Sequence, residues 1–173
     1  HFARNNPETV DNLILVSPGA LNKRIRGSNE PPKLPRVFNL ITQITPRSLV
    51  KGLLNSGFGE PNNISIELVI RWHELLLREG QRDAQMARMK QYISGDIDSV
   101  IAQIRCPVLI MWGKKNKVVN VELADEMKRL LINSPAVETI IYENGGHQLV
   151  QELGIETATD AYQYLVQFNL KRT

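Results

Sequence analysis

Residues 106–113 read Cys-Pro-Val-Leu-Ile-Met-Trp-Gly, a run of apolar side chains that ends at a glycine. A continuous apolar run of this length is typical of a strand that is buried on both faces, as in a parallel sheet. Residues 12–17, Asn-Leu-Ile-Leu-Val-Ser, repeat the pattern, and residues 137–142 form another short β-rich run. The sequence therefore predicts three strands in one sheet.

Amphipathic helices are predicted around the last of these strands. Residues 121–131 place apolar side chains at helical spacing, and residues 157–168 do the same. An alternation of strands and helices implies a parallel sheet with right-handed crossovers. The predicted fold class is therefore α/β.

Residues 21–103 break this alternation and predict a helical insertion between two core segments, residues 1–20 and 104–173. A connection rich in Gly, Pro and Asn is followed by four short helical patterns, at residues 37–44, 46–54, 64–78 and 82–93. The insertion either covers a site or is a plain helical subdomain, and the pattern favours neither.

The composition narrows the possible functions. The chain has 173 residues, 42% of them hydrophobic and 23% charged, which is typical of a globular domain. The basic residues are scattered, so nucleic acid binding is not favoured. No apolar run approaches the roughly 20 residues that span a bilayer. The single cysteine, Cys106, excludes an internal disulfide and favours a cytoplasmic location.

His147 is the best candidate for a side chain that takes part in a reaction. It follows the third strand on a loop that reads Asn-Gly-Gly-His at residues 144–147. A histidine at such a position can transfer protons. His73 lies inside a helical pattern and is expected to be a surface or packed residue. Ser17 ends a strand, but it lacks the flanking glycines of a nucleophile elbow.

The motifs resemble those of the α/β-hydrolase superfamily. Residues 107–119 resemble the seventh strand of that family and its acid loop. The Gly-Gly-His loop, followed by Glu152, resembles the histidine loop after the eighth strand. Residues 2–18 resemble the helix after the nucleophile and the sixth strand. Residues 21–103 fall where the family places its cap domain.

This resemblance implies a serine-type hydrolase that cleaves an ester or a related C–O or C–C bond of a small apolar substrate, without a cofactor or metal. His147 is the implied general base. Phe38, Phe58 and Trp72 are implied to line an apolar pocket. The nucleophile is expected upstream of His1, so the chain alone is expected to be inactive, with the N-terminal part of the same protein as its partner.

One departure from the family pattern concerns Asn116, which stands where the family usually carries the triad aspartate. An amide can accept a hydrogen bond from the imidazole, but it cannot supply the negative charge that stabilises imidazolium. The alternative interpretation is therefore a non-catalytic, hydrolase-like binding or scaffold protein.

Overall fold

The computed structural model describes residues 1–21, 44–91 and 95–169, and the chain divides into two units. The first unit comprises His1–Asn22, Gly57–Glu60 and Asp96–Thr173. The second comprises Lys23–Ser56 and Pro61–Gly95. The four residues Gly57–Glu60 thus belong to the first unit although both flanking segments belong to the second.

The first unit is built on a parallel sheet with the strand order β1-β2-β3. The strands are β1 (Leu13–Val16), β2 (Val108–Gly113) and β3 (Val137–Tyr142). Val108 of β2 pairs with Leu13 on one side and with Val137 on the other. The predicted α/β class and the parallel sheet are confirmed.

Strand β2 is buried along its whole length because it lies between two apolar layers. Its side chains alternate between the two faces of the sheet. Val108, Ile110 and Trp112 pack into one hydrophobic cluster, whereas Leu109 and Met111 pack into the other. The continuous apolar run at residues 106–113 is thereby explained.

Helices supply the opposing side of each cluster. In the first cluster these are α5 (Ile97–Ala102) and α6 (Glu122–Leu130), which contribute residues such as Ile101 and Met127. The second cluster receives the short helix α7 (Leu149–Glu152) and the long helix α8 (Gly154–Asn169). The unit also contains α1 (Phe2–Asn5) and a 3-10 turn at Gly19–Leu21.

The second unit contains helices throughout its described part. They are α2 (Arg47–Gly57, whose last residue belongs to the first unit), α3 (Ile66–Leu77) and α4 (Gln81–Gln91), with a 3-10 turn at Pro61–Asn63. Ser65 begins α3 as its N-cap, since its hydroxyl accepts the backbone N–H of Leu68 at 3.1 Å. These helices match three of the four predicted patterns. The fourth, at residues 37–44, lies almost entirely outside the described residues.

His73 has a structural contact within the second unit, as its position in a helical pattern predicted. Its Nε2 lies 2.8 Å from the backbone carbonyl oxygen of Thr45, to which it donates. Helices α5 and α7 were not predicted, because six and four residues are too short for a clear apolar periodicity. For α5 a capping signal exists, since Asp96 accepts the backbone N–H of Ser99 at 3.2 Å.

We predict that Ile110→Ala destabilises the protein by about 2–5 kcal/mol, because it leaves a cavity in a fully buried strand. The matched control is Ile155→Ala, at a side chain that is 83% exposed, which should change stability by less than about 0.5 kcal/mol. Urea unfolding of both variants measures the difference. Equal losses in the two variants would contradict the assignment of β2 as the core strand.

Candidate active site

The candidate residues lie where β2 and β3 end. Because parallel strands have their carboxyl ends at the same edge of a sheet, the loops that carry Asn116 and His147 leave the sheet side by side. The backbone N–H of Lys114 donates to the carbonyl of Tyr142 at 2.9 Å. This bond continues the hydrogen-bond ladder past the last paired residues and brings the two loops together.

The two loops approach so closely that their backbones leave no room for a Cβ atom. A Cβ on Gly113 would overlap the carbonyl oxygens of Gly145 and Gly146. One on Gly146 would overlap the backbone of residues 57–59. The N–H of Lys115 also donates to the carbonyl of Gly145 at 2.9 Å. The glycines therefore allow close backbone packing around the histidine.

Asn116 and His147 are in contact through their side chains. Nδ2 of Asn116 lies 3.3 Å from Nδ1 of His147. Asn116 is only 7% exposed, and its Oδ1 accepts the backbone N–H groups of Val118 at 3.0 Å and Val119 at 2.9 Å. A backbone N–H can only donate, so these two bonds require the oxygen to face Val118 and Val119. The amide NH₂ consequently faces the imidazole.

This orientation determines which nitrogen of His147 carries the proton. The NH₂ group of Asn116 can only donate, so Nδ1 of a neutral His147 accepts and the ring proton is on Nε2. A histidine that removes a proton from a nucleophile needs the opposite arrangement, with Nε2 unprotonated. The side chain of Asn116 therefore stabilises the tautomer that is unsuited to general-base catalysis.

The electrostatic environment favours neutral His147. Burial of the half-buried ring lowers its pKa, and the negative charge of Glu152 acts in the opposite direction. Desolvation penalises the charged imidazolium, and it is the larger of the two effects. At neutral pH the ring is thus uncharged, and its chemistry depends on which of its two nitrogens carries the proton.

The three residues expected to line a substrate pocket are differently placed. Phe58 is buried in the Gly57–Glu60 segment of the first unit. Trp72 is partly buried in α3 of the second unit. Phe38 lies outside the described residues. A pocket formed by these side chains remains a prediction.

Ser17 differs from an ordinary strand-end residue. Its φ is +40°, a left-handed conformation that is uncommon for a residue with a Cβ. Its hydroxyl is buried and has no hydrogen-bond partner among the described residues. Neither property was apparent from the sequence, and neither supplies the glycine-flanked elbow of a nucleophile.

The lysines after β2 form surface ion pairs. Lys114 lies 2.8 Å from the carboxylate of Glu143, and Lys115 pairs with Glu60. The side chains of both lysines are exposed to solvent. Within residues 1–21, 44–91 and 95–169, no group of His, Cys, Asp and Glu side chains is arranged to hold a metal ion. Over the same residues, no helix has the length and apolar character needed to span a membrane.

Solved structures match the chain over almost its whole length. A putative lipase from Acinetobacter baumannii matches 98% of it with a TM-score of 0.71 and 24% identity. A meta-cleavage product hydrolase from Pseudomonas fluorescens matches 99% with a TM-score of 0.63 and 17% identity. A thermophilic esterase from Thermogutta terrifontis matches 96% with a TM-score of 0.66 and 18% identity. The chain has an α/β-hydrolase fold.

The likeness to α/β-hydrolases concerns the fold, since every one of these identities is below 25%. The chain spans 57% of the lipase chain and 60% of each of the other two. No sequence-family model and no curated protein sequence matches it. The comparisons therefore confirm the predicted fold.

We predict that Gly146→Ala destabilises this α/β-hydrolase fold by about 1–3 kcal/mol, because the new methyl group has to displace the backbone of residues 57–59. Gly154→Ala is the control, since a Cβ at that position meets nothing within 4 Å. Urea unfolding compares the two variants. Indistinguishable midpoints would show that the loops do not pack as described.

Proposed function

We propose that the protein carrying this chain is a serine-type α/β-hydrolase that cleaves an ester or a related C–O or C–C bond. The observation that supports this proposal is the contact between Asn116 and His147 at the carboxyl edge of the sheet. It occurs in a fold shared with a lipase, an esterase and a meta-cleavage product hydrolase. In this function His147 transfers the proton, Asn116 orients the imidazole, and a serine upstream of His1 is the nucleophile.

A second candidate is a non-catalytic, hydrolase-like binding protein. It is favoured by the direction of the Asn116–His147 hydrogen bond, which leaves Nε2 of His147 protonated. A protonated Nε2 donates to an acceptor atom of a ligand and does not remove a proton from a nucleophile. The two functions therefore differ in the position of one proton.

Catalysis with Asn116 in place requires the minor tautomer of His147 or a rotated amide. Rotation would place the NH₂ group against the N–H groups of Val118 and Val119 and would leave these donors unsatisfied. Each buried unsatisfied donor costs about 1–3 kcal/mol. The enzyme function thus implies slow turnover, in line with the loss of about 10⁴-fold for Asp→Asn at the equivalent position of a serine protease.

Asn116→Asp should increase turnover of a p-nitrophenyl ester by as much as about 10⁴-fold in the protein that carries the nucleophile. One carboxylate oxygen would still accept from Val118 and Val119, while the other would accept from a protonated Nδ1 of His147. His147→Ala in the same background should abolish the gain. The matched control is Asn120→Asp, an exposed amide in the same loop, which should leave turnover unchanged.

Nitrogen-15 NMR of the His147 ring separates the two functions. We expect the wild-type ring to be protonated at Nε2 and the Asn116→Asp ring at Nδ1. A tautomer change together with faster turnover supports the enzyme. The same change without any turnover supports the binding protein, and a wild-type ring protonated at Nδ1 contradicts the hydrogen-bond direction.

The substrate class and the cellular location are also proposals, each supported by fewer observations. A small apolar ester-like substrate is suggested by the aromatic residues Phe38, Phe58 and Trp72, together with the hydrolase neighbours. A cytoplasmic location is suggested by the single, buried cysteine, Cys106.

A further inference from the structure

Glu152, at the end of α7, holds two backbone segments together. Its carboxylate accepts the N–H of Gly146 at 2.9 Å through Oε1 and at 3.0 Å through Oε2. Oε2 also accepts the N–H of Gly59 at 2.7 Å. Bonds from backbone N–H groups to a carboxylate are charge-assisted and stronger than bonds to a neutral acceptor. One side chain therefore joins the histidine loop to the Gly57–Glu60 segment.

Backbone hydrogen bonds also join the two segments directly, with donors in the histidine loop and an acceptor in the Gly57–Glu60 segment. The carbonyl oxygen of Gly57 accepts the backbone N–H of His147 at 2.6 Å and that of Gln148 at 3.2 Å. The donors of Gly146 and His147 are thus both satisfied by groups outside their own loop. The backbone that carries the imidazole is therefore held by hydrogen bonds at two consecutive residues.

Within the described part of the chain, Glu152 is not a partner in an ion pair with lysine or arginine. Lys114 pairs with Glu143 and Lys115 pairs with Glu60, and no lysine or arginine among residues 1–21, 44–91 and 95–169 pairs with Glu152. The hydrogen bonds that its carboxylate accepts from described residues all come from backbone N–H groups. The carboxylate therefore acts on the backbone next to His147 and, through its charge, on the imidazole.

We propose that Glu152 is a positioning residue that holds His147 in place by joining the histidine loop to the Gly57–Glu60 segment. The proposal deepens the proposed function, because it concerns the same histidine. It does not depend on turnover, since the positions of the backbone and the ring can be measured in either the enzyme or the binding protein.

Two variants separate the reach of the Glu152 side chain from its charge. Glu152→Asp keeps the charge but is one methylene too short to meet both donors. Glu152→Gln keeps the reach, and its amide oxygen at the position of Oε2 can still accept from Gly59 and Gly146, whereas its NH₂ group loses the bond that Oε1 accepts from Gly146. Glu152→Ala removes both properties. Glu143→Gln is the control, since Glu143 is exposed and pairs with Lys114 at the surface.

Amide hydrogen exchange and proton NMR of the His147 ring provide the two readouts. We expect Glu152→Asp and Glu152→Ala to speed exchange at Gly146 and His147 by about tenfold or more, because the loop opens more easily without the bridge. Glu152→Gln should speed exchange less than Glu152→Ala does, because its neutral oxygen still accepts from both donors, and it should lower the pKa of His147, because the charge that raises it is lost. The Glu143→Gln control should show neither effect.

The proposal is overturned if exchange at Gly146 and His147 in Glu152→Asp equals that of the Glu143→Gln control. It is also overturned if Glu152→Gln leaves the titration of His147 unchanged, since a merely structural side chain would give that result. If Glu152→Ala does not fold, the Asp and Gln variants decide. Absence of ester hydrolysis when the same variants are made in the protein that carries the nucleophile would count against the proposed enzyme and leave these two readouts intact.

Discussion

The close approach of the backbones at Gly113 and Gly146 is the constraint on which the candidate site depends. No Cβ fits at either position, so the loops after β2 and β3 can pack directly against each other. This packing sets the distance between Asn116 and His147. The Gly57–Glu60 segment packs against the histidine loop. Its backbone accepts a hydrogen bond from His147 and donates one to Glu152. A larger residue at Gly146 would separate all of these groups.

The chemistry of the site then follows from the backbone around Asn116. The N–H groups of Val118 and Val119 orient the Asn116 side chain, and they would orient an aspartate in the same way. Asn and Asp have nearly the same shape, so the packing does not distinguish them. They differ in whether the group that faces His147 donates or accepts, and this difference determines which ring nitrogen holds the proton.

The predictable part of the fold is the part that rests on local periodicity. The strand at residues 106–113 was recognisable because burial on both faces requires an apolar side chain at every position. Helix α6 was recognisable from its apolar stripe. The short helices α5 and α7 were missed because each covers fewer than two turns. The pairing of Asn116 with His147 was foreseen only as positions in a family pattern, and the direction of the bond was not.

The sequence by itself determined the parallel sheet, the order of its strands along the chain, and the identity of the histidine and amide at its carboxyl edge. Only the tertiary structure decided that Gly57–Glu60 joins the first unit, that Glu152 bridges it to the histidine loop, and that Asn116 donates to His147. The physical reason is that these features depend on backbone N–H and carbonyl groups, which every residue except proline carries alike. Side-chain patterns therefore do not reveal where such groups meet.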